Sequence, residues 1–323
     1  MKPKTKTLKR WGIGLLIAFL CLNVITIFLA YKLTHFSSNG EPTVTSRYQK
    51  VKKKLQGLVY DGLGTARPKN TEVPYNPYET IVFESNDLAL EGWYIPARRS
   101  KGTVIMFHGY ISDKSRLIAK SKKFHKMGFN TFLVDFMGSG GSEGHQTTLG
   151  YYEADQVKAA YDIIKARKNE SKIILFGTSM GAASIMKAMK DHQLNAQSII
   201  LEAPFDSMLE AVEARFSLFH IPSFPCARML MFWGGVINGF NAFDHNPEEY
   251  AKDIQVPSLI IYGEKDDRVS KEEIDNIYHN LKGPKKLKNY PEAGHRLLLE
   301  NINNQWEQDV AQFLNPNSEH VEI

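Results

Sequence analysis

The five residues from Gly177 to Gly181 constrain the fold of this chain more than any other stretch. They read G-x-S-x-G around Ser179, between a strand-like run, residues 172–176, and a helix-like run, residues 182–190. A chain that turns this sharply from strand into helix holds the serine in a strained conformation, and only small residues fit beside it. The pattern predicts a nucleophile elbow, with the free N–H groups of the following helix directed at the serine oxygen.

The length and charge of the chain limit what surrounds this motif. With 323 residues, of which 43% are hydrophobic, the chain can form one large domain or two small ones. Much of the net charge of +5 lies in two basic clusters, residues 2–10 and 47–54, which lack the interleaved aromatics of a nucleic-acid groove. The two cysteines, Cys21 and Cys226, are not expected to pair. We therefore expect no nucleic-acid partner and no disulfide framework.

An uncharged apolar run from Trp11 to Tyr31 follows the first basic cluster. About twenty residues at 1.5 Å rise cover the roughly 30 Å hydrocarbon core of a bilayer, and aromatic residues bracket the run as they do at membrane interfaces. The alternative is a cleaved signal peptide, whose apolar region is usually about 7–15 residues long. The run is longer and Phe28-Leu29-Ala30 is a poor cleavage site, so we predict an uncleaved transmembrane anchor.

The charges that flank the run predict its orientation. Basic residues before it outnumber the single Lys32 just after it, which keeps the amino terminus in the cytoplasm and the large domain outside the cell membrane. We predict five segments: a cytoplasmic basic tail (1–10), the anchor (11–31), a stalk (32–75) with a possible short helix around 46–58, a hydrolase-like domain (76–315) and a tail (316–323).

From about residue 79 the chain alternates strand-like and helix-like segments. Several strand-like runs are almost continuously apolar, as buried parallel strands are. The predicted strands cover residues 80–84, 88–95, 103–107, 131–134, 173–176, 198–201, 258–262 and 286–289. The predicted helices cover residues 115–127, 151–167, 182–190, 271–281 and 301–313. The alternation predicts an α/β fold with a mostly parallel, eight-stranded sheet covered by helices on both faces.

Residues 204–252 interrupt this alternation. They contain no clear strand but many large apolar side chains, among them Phe219, Phe224, Phe232 and Trp233. Such a stretch between two strands predicts an inserted helical cap. The apolar side chains could only pack the cap onto the body, or could also line a cleft for an acyl chain.

A serine nucleophile needs a base to remove its proton and an acid to orient that base. In this architecture the acid and then the base follow the serine, each in a loop after a strand. Asp266, in the charged turn after the strand at 258–262, is the predicted acid; Asp267 and Asp206 are the alternatives.

The base comes from the histidines beyond Asp266. His279 falls within a predicted helix and His320 in the polar tail, whereas His295 follows Gly294 in the loop between the last strand and the last helix. His295 is therefore the predicted base.

The negative charge that develops on the substrate needs two backbone N–H donors. One is predicted to come from Met180, directly after the nucleophile, and the other from Tyr110, in the loop after the strand at 103–107. In the same loop, His108 is predicted to have a structural role and not to act as a second base.

These motifs resemble the α/β-hydrolase superfamily, and within it the membrane-anchored bacterial members related to prolyl-oligopeptidase-like and dienelactone-hydrolase-like esterases. The matching elements are His108-Gly109-Tyr110, Asp135 to Ser142, Gly177 to Gly181, Gly263 to Asp266 with Val269, and Gly294-His295. They cover about residues 80 to 315 and occur in the family's order. The resemblance implies the fold and a Ser–His–Asp mechanism, but no particular substrate.

Two features depart from the related families. Met137 stands where the family often has a structural arginine, which concerns local packing. A propeller domain like that of true prolyl oligopeptidases is missing, which weakens a peptidase interpretation.

The sequence therefore predicts a membrane-anchored serine hydrolase, a carboxylesterase or lipase-like enzyme. Its substrates would be carboxylic esters of small molecules or lipids, or thioesters. No cofactor or metal is expected, because no cluster of residues has ligand spacing. The alternatives are a serine peptidase of the same fold, and a catalytically idle relative that binds a partner at the cell surface.

Overall fold

An eight-stranded sheet organises the computed structural model, which describes residues 4–37, 65–167, 172–295 and 303–315. The short helix predicted around residues 46–58 and the predicted tail 316–323 lie outside the described residues. The strands are β1 (Glu79–Ser85), β2 (Leu88–Ile95), β3 (Thr103–Phe107), β4 (Asn130–Val134), β5 (Ile173–Thr178), β6 (Ser198–Glu202), β7 (Ser258–Gly263) and β8 (Lys285–Tyr290).

The strand order is β1-β2-β4-β3-β5-β6-β7-β8. β2 pairs in antiparallel fashion with both β1 and β4, and all other neighbours are parallel. Every residue of β3, β4, β6 and β7 is buried, which explains why their sequences are mostly apolar. The polar edge strands β1 and β8 are only partly buried. The predicted fold class is confirmed.

Helices cover both faces of the sheet. One face packs on α3, α4 and α8 through side chains such as Val157, Ile185 and Ile277, and the other packs on α2 and α9 through Phe124 and Trp306. The helices are α1 (Lys4–Thr34), α2 (Ile118–Lys126), α3 (Glu153–Lys165), α4 (Met180–His192), α5 (Met208–Leu218), α6 (Cys226–Asn238), α7 (Pro247–Tyr250), α8 (Lys271–Asn280) and α9 (Asn303–Leu314). Short 3₁₀ turns occupy Lys114–Leu117, Ala242–Asp244 and Ala251–Asp253.

The predicted helical insertion lies between β6 and β7 and consists mainly of α5 and α6. It has a small apolar core of its own, built around Met208, Met231 and Ala242. One end is joined to the body, because the Tyr151 and Phe240 rings stack at 4.3 Å and the Tyr152 hydroxyl donates to the Gly239 carbonyl at 3.0 Å. We call α5, α6 and the segment that joins them the cap.

Helix α1 contains an apolar span, Lys9–Thr34, with a mean hydropathy of 2.7, long enough to cross a membrane. Its carboxyl half packs along α6 of the cap, and there Trp233 Nε1 donates to Asn23 Oδ1 at 3.0 Å. Thr26 and Ala30 are buried, whereas Trp11 and the apolar side chains of the amino half are exposed. The helix therefore belongs in part to the folded body.

The described parts of the predicted stalk, residues 32–37 and 65–75, also contact the body. After α1, His35 forms an antiparallel bridge with Gln146, and Phe36 forms a parallel bridge with Thr65. The side chains of His35 and Phe36 are both buried. At its two described ends, the stretch predicted as a stalk is thus folded against the hydrolase-like domain.

Candidate active site

Ser179 lies at the turn from β5 into α4 and adopts φ 51° and ψ −113°. A non-glycine residue reaches this region only under strain, which the surrounding backbone must hold in place. The flanking glycines leave the required space. A Cβ on Gly177 would lie 2.5 Å from the carbonyl carbon of Gly181, and one on Gly181 would lie 2.5 Å from the Phe107 oxygen. The turn therefore has the geometry of a nucleophile elbow.

The structure brings the predicted acid and base to this serine. His295 Nε2 lies 3.2 Å from Ser179 Oγ, and His295 Nδ1 lies 2.7 Å from Asp266 Oδ2. A carboxylate only accepts hydrogen bonds, so Nδ1 carries the proton and Nε2 is left as the acceptor for the serine hydroxyl. The His295 side chain is 9% exposed and that of Asp266 is fully buried.

The Asp266 carboxylate is held by its own turn. Its other oxygen, Oδ1, accepts the backbone N–H groups of Arg268 at 2.8 Å and Val269 at 3.0 Å. These bonds fix the direction in which Oδ2 faces His295. The local run of charges after β7 therefore contains one aspartate whose side chain turns inward.

The two alternative acids lie elsewhere. Asp267 is exposed and forms a loose pair with Arg268 at 3.9 Å. Asp206 is buried near α8, where its Oδ2 accepts a hydrogen bond from Asn276 at 3.1 Å. In the part of the chain that the structure describes, neither carboxylate bonds to His295.

The predicted oxyanion donors flank Ser179. Met180 is the first residue of α4, where backbone N–H groups have no partner within the helix. On the other side, a Cβ on Gly109 would lie 3.6 Å from Ser179 Cβ, so the loop that carries Tyr110 packs directly against the serine. The N–H of Ser179 itself donates to Glu202 at 2.8 Å.

The Tyr110 side chain is bound to the end of α1. Its hydroxyl donates to the carbonyl oxygen of Leu33, in the last turn of α1, at 2.6 Å. Burial raises the pKa of Tyr110 to about 12. The hydroxyl therefore stays protonated near neutral pH.

His108 has the contacts of a structural residue. Its Nδ1 donates to the Gly109 carbonyl at 2.8 Å, and its Nε2 accepts the backbone N–H of Phe136 at 3.1 Å. Burial lowers the pKa of this imidazole, which keeps it neutral. Both ring nitrogens are thus occupied in holding the loop after β3 against the loop after β4.

A buried ion cluster beneath these loops was not predicted from the sequence. Lys114 Nζ pairs with Glu91 Oε1 at 2.7 Å and with Asp135, and lies 4.2 Å from the centre of the Trp93 ring. Burial alone would raise the pKa of Asp135, but Lys114 holds it below its usual range. Asp135 begins the motif Asp135 to Ser142, whereas nothing in the local sequence distinguishes Lys114 from a surface lysine.

Arg67 was also missed. Its guanidinium donates to the Gly144 carbonyl at 2.6 Å, to the Ser139 carbonyl at 3.3 Å and to that of Ser142. These carbonyls belong to the turn after β4, in which Met137 is buried. Arg67, which precedes β1 in the chain, therefore holds this turn in place by hydrogen bonds to its carbonyl oxygens.

The cap adds one cation to the surroundings of the site. Arg215 on α5 is half-buried, and its charge interacts with those of Arg268, Asp267 and Asp266. Burial lowers its pKa, and the nearby Arg268 acts in the same direction. The cap therefore brings a cation within electrostatic range of Asp266.

Metal ligands are not assembled at this site. Among residues 4–37, 65–167, 172–295 and 303–315, no group of three or more His, Cys, Asp or Glu side chains is arranged to hold a metal ion. The polar groups around Ser179 are those of acyl transfer, namely a hydroxyl, an imidazole, a carboxylate and backbone N–H donors.

Two family models match the chain. One, described as serine aminopeptidase S33, matches residues 98–224, and one described as PhoPQ-activated pathogenicity-related protein matches residues 243–322. Among curated proteins, the uncharacterized protein YqkD of Bacillus subtilis is 23% identical over 236 residues, which cover 72% of this chain and 77% of the relative. The uncharacterized membrane protein YNL320W of Saccharomyces cerevisiae is 25% identical over 167 residues, which cover 50% of this chain and 58% of the relative.

Solved structures share the fold. The esterase Pf2001 of Pyrococcus furiosus superposes with a TM-score of 0.64 at 22% identity, covering 77% of this chain and 97% of the esterase. The chain has the α/β-hydrolase fold, and the serine aminopeptidase match supports its place in that superfamily.

Proposed function

We propose that this chain is a membrane-anchored serine hydrolase that cleaves carboxylic esters through an acyl-enzyme intermediate. One observation carries the proposal: Asp266, His295 and Ser179 form a continuous series, joined by contacts of 2.7 Å and 3.2 Å, at a strained strand-to-helix turn. Such a series lets an otherwise weak hydroxyl nucleophile act near neutral pH.

In the first half of the reaction, Ser179 Oγ attacks the acyl carbon while His295 Nε2 takes the hydroxyl proton. His295 then gives this proton to the departing alcohol, and Asp266 stabilises the imidazolium in between. In the second half, His295 takes a proton from water, which attacks the acyl-enzyme and releases the acid. Ser179 recovers its proton from His295.

The tetrahedral intermediates carry a negative oxygen. We assign its stabilisation to the backbone N–H groups of Met180 and Tyr110, one on each side of Ser179. The amino end of α4 adds a favourable dipole at the same point. These donors are fixed before the substrate binds, because Gly109 packs against the serine and His108 holds the loop.

The substrate we propose is a lipid or another long acyl ester. Support comes from the esterase Pf2001 among the solved structures, and from the large apolar content of the cap. A serine peptidase is the second candidate, because one family model is described as a serine aminopeptidase.

We also propose that α1 is an uncleaved anchor, with the amino terminus in the cytoplasm and the catalytic domain outside. The length of the apolar span, the basic residues before it and the name of the yeast relative support this. Protease added to intact spheroplasts should digest the catalytic domain; protection of that domain until lysis would contradict the orientation.

The test uses the whole chain, purified in detergent, beside Ser179→Ala. We expect a fluorophosphonate probe to label the wild-type chain at Ser179, and p-nitrophenyl esters to be hydrolysed with an optimum at medium or long acyl chains. Ser179→Ala should lose both properties. Rates that fall steadily from two carbons upward would reject the long-acyl substrate class.

Two further outcomes separate the competing functions. Cleavage of amino-acid p-nitroanilides without ester turnover would favour the peptidase. A folded chain that neither reacts with the probe nor turns over any ester would favour an idle binding protein.

A further inference from the structure

The cap exposes a set of large apolar side chains to its surroundings. Phe219 is 75% exposed and Phe224 is 71% exposed, which is unusual for phenylalanines in a folded domain. We define the cap's apolar surface by six exposed side chains: Leu218 at the end of α5, Phe219, Ile221 and Phe224 in the segment that joins α5 to α6, and Phe232 and Val236 on α6.

Charged residues are almost missing from this part of the chain. Between Phe216 and Phe243 the sequence contains one charged residue, Arg228. Its guanidinium pairs with Glu213 at 3.2 Å, on the turns where α5 and α6 meet. A cap that faced water would carry charged residues over most of its outer face. This composition instead fits an apolar environment. The Arg228 side chain is long enough for its charged end to reach the polar boundary of such an environment.

The position of α6 beside α1 identifies that environment. Trp233 is hydrogen-bonded to Asn23, which precedes Tyr31 by eight residues and so lies about 12 Å before the end of the apolar run. If α1 spans a bilayer, this part of α6 lies at the depth of the hydrocarbon. The two polar groups bond to each other there, as polar groups in lipid must.

The exposed row of α6 lies next to this contact. Phe232 and Val236 are four residues apart and occupy one row of the helix, on either side of Trp233 in sequence. Both side chains are more than half exposed, on the helix that packs against α1. An exposed apolar row therefore lies on the cap helix that contacts the apolar span of α1.

We infer that the cap's apolar surface is immersed in the lipid bilayer beside α1, so that an ester substrate reaches Ser179 directly from the membrane. This rests on the proposed anchoring of α1 and deepens the proposed function. The last turn of α1 supports the route, because Leu33 contacts Tyr110 in the loop packed against Ser179. The membrane anchor, the oxyanion loop and the cap thus meet at one place.

The first test measures depth in the membrane. Cys21 and Cys226 are changed to alanine, one new cysteine is introduced by Leu16→Cys, Phe219→Cys, Phe232→Cys or Val82→Cys, and each chain is labelled with the fluorophore NBD. The full-length chains are placed in phosphatidylcholine vesicles with and without brominated acyl chains. Val82 is exposed on β1, away from the cap, and serves as the matched control.

We expect the bromines to quench the labels at positions 16, 219 and 232, and to leave the label at position 82 unchanged. Quenching at 16 without quenching at 219 and 232 would overturn the inference while the anchor stands. No quenching at 16 would overturn the anchor together with the inference. Fluorophosphonate labelling of Ser179 in the same vesicles reports the hydrolase independently of all three outcomes.

The second test concerns the route of the substrate. The double variant Phe219→Asp with Phe232→Asp should lower kcat/KM for a long-chain ester embedded in vesicles by about tenfold or more, because two buried carboxylates oppose immersion. Turnover of soluble p-nitrophenyl acetate should stay within about twofold, and Val82→Asp should change neither rate. Unchanged turnover of the embedded ester would overturn the membrane route. If the double variant loses both activities, the quenching measurement decides.

Discussion

The Tyr110 hydroxyl donates a 2.6 Å hydrogen bond to the Leu33 carbonyl oxygen and so joins the proposed oxyanion loop to the end of α1. The last four carbonyls of a helix have no partner within it, and this bond satisfies one of them. With the bond between Trp233 and Asn23, it makes the carboxyl half of α1 part of the domain. A chain cut after α1 would lose both contacts, so assays should use the whole protein.

Tyr110→Phe tests this connection. The variant keeps the backbone N–H that we assign to the oxyanion but loses the bond to Leu33, which costs about 0.5–1.5 kcal/mol of unfolding free energy. We expect a lower Tm in detergent and ester turnover within about threefold of wild type. Tyr75→Phe, at an exposed tyrosine, is the control. A loss of activity as large as that of Ser179→Ala would show that the phenol itself takes part in the reaction.

Asp266→Asn and Asp267→Asn form a matched pair. Of these two aspartates, Asp266 is the one that bonds to His295, so its amide variant removes the acceptor that sets the imidazole tautomer, and we expect kcat to fall by about 10⁴. Asp267 is exposed, and its variant should stay within about twofold of wild type. The p-nitrophenyl ester assay measures both variants. Equal losses would contradict the assignment of Asp266 as the acid.

The next pair of variants, Gly181→Ala and Gly234→Ala, tests the space around two glycines. An added methyl group would collide with backbone atoms at Gly181 and would meet open space at Gly234. A Cβ on Gly181 would press on the carbonyl oxygens of Phe107 and His108. We therefore expect Gly181→Ala to lower the free energy of unfolding by about 1–3 kcal/mol and to abolish fluorophosphonate labelling. Gly234, within α6, has no atom near its added Cβ, and alanine there should stabilise the chain by about 0.5–1 kcal/mol. Thermal unfolding of both variants gives the comparison, and a stable, reactive Gly181→Ala would contradict the elbow geometry.

Glu273 should make stability depend on pH. It caps the amino end of α8 together with Ser270, and burial raises its pKa to about 7, above the ordinary value of 4.5. Because the folded pKa is the higher one, its contribution to stability is complete below pH 4.5 and is lost as pH rises through 7. Glu273→Gln does not titrate at this position.

The measurement is the difference in Tm between wild type and Glu273→Gln at pH 5 and at pH 8. We expect the wild-type chain to lose stability relative to the variant as pH rises. The same substitution at the exposed Glu72 supplies the baseline. A difference that does not change with pH would contradict the raised pKa of Glu273.

Much of the fold was predictable from local patterns. The buried strands are short, almost continuously apolar runs. The elbow is recognisable because Gly177 and Gly181, four residues apart, stand where a side chain would collide with the backbone. The order of the motifs along the chain predicted which loops gather at the carboxyl edge of the sheet. Boundaries were less accurate: α1 continues to Thr34, and the 3₁₀ turn at Lys114–Leu117 precedes α2.

By itself, the sequence determined the class of fold, the candidate nucleophile and base, and the presence of an apolar helix, because neighbouring residues carry these signals. Only the tertiary structure decided that Asp266, and not Asp267 or Asp206, contacts His295. It also placed Arg67 against the turn after β4 and Trp233 against Asn23. These contacts join residues far apart in the chain, and their geometry depends on how the sheet, the cap and α1 pack together.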